Sequence, residues 1–176
     1  MRDEYEFGSI REYAVLGFVR IFPDKYFEDG EREKGDKSHI PTGFVFVIDP
    51  KFGAAAQHKM PGGHGQGSDA SPLAAMGREL LGETGLNSKV IHYVGKWPGR
   101  GSTHWKVLFT CDIAESDVPW MNSNERENEG EQPKRFSIHE FQALVRDYMF
   151  MHEHYEKLVA FGLIFPVAGE LQAKGA

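Results

Sequence analysis

The order of hydrophobic and polar positions predicts a chain of short strands with one central helix and helices at its end. Four runs rich in β-branched and aromatic residues have the length of strands, at 13–22, 43–49, 89–95 and 103–113. The second of these runs, GFVFVID, is nearly all apolar. A strand of that composition is expected in the middle of a sheet that is covered on both faces.

Helical signals lie in the centre of the chain and at its end. The segment SPLAAMGRELLGETGL has Ser71 where an N-cap is expected, Pro72 at the first helical position and Gly85 where the helix should stop. A second amphipathic pattern covers 138–149 and continues to about Leu163. We therefore predict one well-delimited central helix and a helical end.

Two highly charged stretches separate these elements and are predicted to be exposed loops. Residues 24–39 carry ten charged side chains in sixteen positions, and residues 114–135 contain six acidic ones. Because no internal repeat or linker is visible, we expect one domain over 1–176, with its core at about 12–165. The order of elements predicts the α/β (α+β) class, with a mixed β-sheet between helical layers.

Composition and charge exclude several classes of protein. The 176 residues are 40% hydrophobic and 26% charged, which is typical of a globular chain and not of a disordered one. No apolar run approaches the ~20 residues that a membrane span needs, and no secretory signal is visible. The net charge of −6 argues against binding a nucleic-acid backbone. The single cysteine, Cys111, cannot form an internal disulfide, which agrees with a cytoplasmic location.

Residues 61–86 contain the most informative pattern of the chain. A P-G-G turn at 61–63 precedes the helix end R-E-L-L-G-E-T-G-L at 78–86. Glu79 and Glu83 lie one helical turn apart, so both carboxylates can reach one divalent cation. Mg²⁺ takes oxygen ligands and commonly binds one or two carboxylates together with substrate phosphates. A glycine-rich turn in front of the helix lets the backbone approach such phosphates closely.

This segment resembles the box of the Nudix family, G-x5-E-x7-R-E-U-x-E-E-x-G-U, where U is aliphatic. The box would lie at about 62–86. The resemblance implies a Nudix-like α/β/α sandwich and a pyrophosphohydrolase that uses Mg²⁺ or Mn²⁺. It also implies that Glu79 and Glu83 bind the metal, and that Arg78 orients these glutamates by ion pairing.

Two positions depart from the family pattern. Ala70 and Gly82 stand where the box has glutamates. Gly63 matches the initial glycine only if the loop carries one inserted residue, and Asp69 then lies near the missing acid. Three explanations of Gly82 remain open: another acid supplies the ligand, the enzyme uses fewer metals, or the site has decayed.

A further glutamate is expected from a loop in front of the last strand and helix, as in many Nudix enzymes. The candidates here are Glu129 and Glu131, in the segment ENEGEQPKRF. An acidic loop can equally be only solvated, and the sequence does not rank the two.

Substrate binding is expected at the glycine turn and at a second Gly/Pro-rich turn. Gly62 and Gly63 would allow close approach of phosphates. Trp97 is predicted to be exposed in GKWPGRG and able to stack on a nucleobase, and Arg100 in the same turn can meet a phosphate.

The predicted function is hydrolysis of the diphosphate linkage of a nucleoside diphosphate that is joined to another moiety. The partner would be a small-molecule nucleotide or diphosphate, with no nucleic acid and no membrane, and a homodimer is one assembly that the resemblance allows. The alternative is a catalytically weak or inactive Nudix-fold module that binds a nucleotide or regulates a partner. A purely structural protein is the third option.

Overall fold

The computed structural model describes residues 12–28, 40–99, 104–122 and 131–168. Its six strands are β1 Glu12–Phe22, β2 Gly43–Ile48, β3 Gly62–His64, β4 Val90–Pro98, β5 His104–Ala114 and β6 Gln132–Phe136. Its α-helices are α1 Pro72–Thr84, α2 Ile138–Arg146 and α3 His152–Ala160. The four strands, the central helix and the helical end that the sequence predicts are all present.

The strands form one mixed sheet in the order β4-β5-β1-β2-β6, with β3 paired to β1 beside this path. β1 runs parallel to β5, and the other strand pairs are antiparallel. One edge of β1 serves two partners, because β3 pairs with residues 14–16 and β2 pairs with residues 19–21. The start of β1 therefore fixes the position of the box strand β3.

Each face of the sheet carries a helical layer, as the sequence predicts. Alternate residues of β1 point to opposite faces. Val15 and Val19 belong to the buried cluster that includes Met76 and Leu80 of α1. Leu16 and its neighbours on the other face pack in a second cluster with α2 and α3. None of the described helices combines the length and the apolar character that crossing a membrane requires.

The ends of α1 follow the predicted capping residues. The Ser71 side chain accepts a hydrogen bond from the Ala74 N–H at 3.1 Å. Gly85 has φ of 71°, in the left-handed region, and a Cβ there would lie 2.4 Å from the Asn122 side-chain oxygen. A side chain at Gly85 would be strained and would also collide, which explains why the helix ends at this glycine.

The prediction of one continuous polar loop over 114–135 is wrong. A 3₁₀ helix covers Glu115–Trp120, and β6 begins at Gln132. β6 is an edge strand with the sequence QPKRF, and it pairs only with β2 in the described sheet. Proline and lysine are typical of edge strands, which form hydrogen bonds to a neighbouring strand on one side only. Because its residues are polar, this strand resembles a loop in the sequence. Of the charged stretch 24–39, residues 29–39 lie outside the described part.

Substitution of Gly77 by alanine is expected to stabilise the protein. Gly77 is in the interior of α1, and a Cβ at this position would meet nothing within 4 Å. Alanine is favoured over glycine in a helix by about 1 kcal/mol, so the free energy of unfolding should rise by up to that amount. Urea denaturation measures this change. A lower free energy of unfolding in Gly77→Ala than in the wild type would contradict the prediction.

Candidate active site

Glu83 lies in the last turn of α1 and is almost completely buried, with 7% of its surface exposed. Its Oε2 accepts a hydrogen bond from the backbone N–H of Gly62 at 2.8 Å. Its carboxyl group is also hydrogen-bonded to Glu131, which comes directly before β6. Glu83 thus joins the box helix, the box strand and the segment that leads into the edge strand.

Two adjacent glycines of β3 let other groups lie close to the backbone, and at Gly62 those groups are backbone atoms of β1. A Cβ on Gly62 would lie 2.0 Å from the Val15 carbonyl oxygen, and one on Gly63 would lie 2.7 Å from the Glu79 carboxylate. Gly62 thereby brings its N–H to Glu83, and Gly63 leaves room for Glu79. Close approach of substrate phosphates to these glycines stays a prediction.

Lys59 forms an ion pair with Glu131. Burial, together with the neighbouring Glu131, raises the pKa of Glu83 well above its usual range. Partial burial opposes ionisation of Glu131, but the hydrogen bond from Glu83 and the Lys59 ammonium outweigh it, so the pKa of Glu131 is lowered. The raised pKa of Glu83 favours its protonated form, so the two carboxyl groups can share one proton.

Arg78 is the centre of a second group of charges beside the first. Its Nε and Nη2 bind the two carboxylate oxygens of Asp69 at 3.0 and 2.9 Å, and its Nη1 binds Glu79 at 2.7 Å. The guanidinium hydrogen bonds lower the pKa of Asp69. Asp69 thus pairs with the arginine of the box, close in sequence to the glutamate that Ala70 replaces. Because Arg78 contacts Glu79 and not Glu83, the arginine can orient only the first of the two predicted ligands.

The chemistry of the carboxylate groups fits a hard divalent cation, which prefers oxygen ligands. Two buried carboxyl groups in contact need a shared proton or a cation between them, and Glu83 and Glu131 form such a pair. Within the described ranges, no group of three His, Cys, Asp or Glu side chains is already arranged to hold a metal ion. Glu79, Glu83 and Glu131 are the residues that would hold a metal here.

His154 of α3 holds the chain just in front of the box strand. Its Nδ1 accepts a hydrogen bond from the Met60 N–H at 3.1 Å, and only 4% of the residue is exposed. Burial lowers the pKa of His154 to about 4, so the ring is neutral at neutral pH. Sequence reasoning missed this role, because a histidine in the run His-Glu-His gives no sign of a partner 94 residues away.

His154 is expected to make the stability of the protein depend on pH. Its pKa is about 4 in the folded state and about 6.5 in the unfolded state, so the unfolded chain binds more protons in this window. Stability is therefore lost as the pH falls from about 6.5 towards 4, by at most about 3 kcal/mol. In His154→Asn the amide oxygen can still accept from Met60. Urea denaturation at several pH values should show a shallower loss than in the wild type, and parallel curves would contradict this.

A cavity of about 340 Å³ opens beside β3 on the α3 side of the sheet. It is lined by His64, His104, Lys106 and Glu153. The rings of the two histidines are 5.5 Å apart, and Lys106 pairs with Glu153 at 2.5 Å. Both ring nitrogens of His104 are buried without a hydrogen-bond partner among the described residues. Sequence reasoning missed these residues, although His104 and Lys106 are two apart in a predicted strand and so must share a face.

The predicted exposure of Trp97 is wrong. β4 extends to Pro98, and Trp97 lies opposite Lys106 of β5 with 8% of its surface exposed. Its ring packs near Phe161 in the α2–α3 cluster, because the strand continues three residues beyond its predicted end at residue 95. Arg100 and Glu129 lie outside the described residues.

The sequence and the fold were compared with those of known proteins. A family model described as the NUDIX domain matches residues 27–158, which is most of the chain. The chain belongs to the Nudix family. This agrees with the resemblance of its box, and the mixed sheet between helices is the fold of the similar Nudix structures.

Three solved structures show how far the Nudix fold is shared. One is a MutT from a study of Aliivibrio salmonicida and Vibrio cholerae, with a TM-score of 0.55, 13% identity, and 85% of this chain and 95% of that chain covered. The NUDIX domain of Shewanella oneidensis NrtR, complexed with ADP ribose, has a TM-score of 0.57 and 12% identity over 84% and 83%. A NUDIX hydrolase from Nitrosomonas europaea has a TM-score of 0.51 and 18% identity over 85% and 86%. No curated protein sequence matches this chain significantly.

Proposed function

We propose that this Nudix protein hydrolyses the diphosphate linkage of a nucleoside diphosphate joined to another moiety, with Mg²⁺ or Mn²⁺. The observation that carries the proposal is the buried contact of Glu83 with Glu131, on the box helix and beside the box strand. A carboxylate pair in a buried site costs stability unless a proton or cation neutralises it. Metal binding therefore explains this buried pair better than packing does.

The residues of the site have separate roles in this proposal. Glu79, Glu83 and Glu131 would hold the metal, which when bound neutralises charge on the diphosphate and helps to activate water. The Gly62 N–H orients Glu83, and Arg78 orients Glu79. A carboxylate oxygen of Glu131 that does not bind the metal would accept a proton as water attacks phosphorus and the phosphorus–oxygen bond of the leaving phosphate breaks.

The cavity lined by His64, His104, Lys106 and Glu153 is the proposed place for the second moiety of the substrate. β3 connects it to the carboxylates, since Gly62 donates to Glu83 and His64 lines the cavity two residues further on. Imidazole, ammonium and carboxylate groups suit hydroxyl and phosphate groups better than an apolar ligand. The similar NrtR domain was solved with ADP ribose, so ADP-ribose is the first compound to test.

The experiment is a hydrolysis screen with Mg²⁺ or Mn²⁺, using nucleoside triphosphates, ADP-ribose-like sugars and dinucleoside polyphosphates. Products are separated by ion-exchange chromatography, and Glu79→Gln serves as the blank. We expect turnover of at least one nucleoside diphosphate-linked compound in the wild type and none in the variant.

Gly82 supports a second candidate function, a Nudix-fold module that binds a nucleotide without turning it over. Gly82 is buried in α1 where the family has a glutamate. Binding of ADP-ribose without turnover under every metal condition would favour this module. Turnover that persists in Glu79→Gln would instead contradict the assignment of Glu79.

A further inference from the structure

Lys59 places a positive charge on the carboxylate pair from outside the box helix. Its ammonium pairs with Glu131, and 25% of its side chain is exposed. Its backbone is held firmly, because its N–H and C=O both form hydrogen bonds with Val47 of β2, at 2.9 and 3.0 Å. Lys59 is also three residues before Gly62, whose N–H binds Glu83.

We propose that Lys59 is the built-in counter-ion of this pair and competes with the divalent cation for Glu131. The inference rests on the proposed function in one respect, since it takes Glu83 and Glu131 as metal ligands. It goes beyond that function because it assigns control of the metal affinity to Lys59, a residue outside the box.

The Lys59 ammonium and a divalent cation would place their positive charges at the same carboxylate. The Lys59 ammonium, bound to Glu131, already balances one negative charge of the carboxylate pair without a metal. A divalent cation on Glu131 would be repelled by an ammonium that is bound to the same carboxylate. Metal binding therefore requires the Lys59 side chain to leave Glu131. The partial exposure of that side chain gives it a route to solvent while its backbone stays fixed.

Lys89 provides a matched control in a separate ion pair. It pairs with Asp117 at 3.2 Å, and 49% of its side chain is exposed. Lys89→Met removes the same charge as Lys59→Met but leaves the Lys59–Glu131 pair intact. A comparison of the two variants therefore separates a local effect from a general change in protein charge.

The test is titration of the full chain with Mn²⁺, followed by electron paramagnetic resonance, with Mg²⁺ as competitor. We expect Lys59→Met to lower the Mn²⁺ dissociation constant roughly tenfold, and Lys89→Met to change it less than twofold. Lys59→Gln repeats the comparison with a polar neutral side chain, in case methionine disturbs the fold. In a Glu131→Gln background, Lys59→Met should no longer tighten binding.

The results distinguish the inference from the function on which it rests. Equal affinities in Lys59→Met and Lys89→Met would overturn the role of Lys59 and leave the metal site standing. Weaker binding in Lys59→Met would also overturn it. Absence of Mn²⁺ binding in all folded variants would overturn the metal site and the inference together.

Discussion

Replacement of Glu83 by glutamine is expected to abolish metal-dependent hydrolysis while leaving the metal-free fold intact. Because the pKa of Glu83 is raised, the metal-free protein holds this carboxyl group in its protonated form. A glutamine amide imitates that form, since its oxygen can accept from Gly62 and its NH₂ can donate to Glu131. It cannot supply a carboxylate to a cation. Hydrolysis should fall by roughly 10²–10³-fold, as expected for loss of a group central to the chemistry.

Thermal unfolding with and without Mg²⁺ tests the effect of Glu83→Gln on metal binding without any substrate. A ligand that binds only the folded state raises the melting temperature, so Mg²⁺ should stabilise the wild type and not Glu83→Gln. Glu156→Gln, an exposed change on α3, is the control for charge. A rise in melting temperature with Mg²⁺ that is the same in all three proteins would remove Glu83 from the metal site.

Substitution of Gly62 by alanine is expected to lower the free energy of unfolding more than any other substitution proposed for this protein. The new Cβ would lie 2.0 Å from the Val15 carbonyl oxygen and 2.9 Å from its carbon, so β3 would have to move away from β1. Gly62 also has φ of 153°, which L-residues rarely adopt. Overpacking against backbone should lower the free energy of unfolding by about 3 kcal/mol. Activity should fall too, because the Gly62 N–H that orients Glu83 would be displaced.

Gly67→Ala is the matched control, in the loop that follows β3. A Cβ at Gly67 would meet nothing within 4 Å, so this variant should unfold at nearly the wild-type urea concentration. If Gly62→Ala unfolded at the same concentration as Gly67→Ala, the close packing of β3 on β1 would be incorrect.

Features that depend on neighbours in the sequence could be predicted before the fold was known. The limits of α1 follow from Ser71, Pro72 and Gly85, because capping and helix termination are decided within a few residues. The relation between Glu79 and Glu83 follows from the helical repeat in the same way. Asp69 was expected near the position of the missing acid, and it lies next to Arg78 in space.

Errors arose where a residue's environment is set by segments distant in sequence. Trp97 seemed exposed because glycine and proline surround it, yet α3 covers it. The edge strand β6 seemed to be a loop because its residues are polar, yet β2 gives it a partner. Local composition carries no information about which distant element packs against a segment.

The sequence by itself determined the family, four of the six strands, the helices and two of the proposed metal ligands, since all of these are encoded in local spacing. Only the tertiary structure decided which residues surround Glu83. Folding brings together Lys59 from the segment before β3, Glu83 from α1 and Glu131 from the segment before β6. The burial and opposite charges that define this group exist only after the sheet has assembled, because each partner comes from a different element.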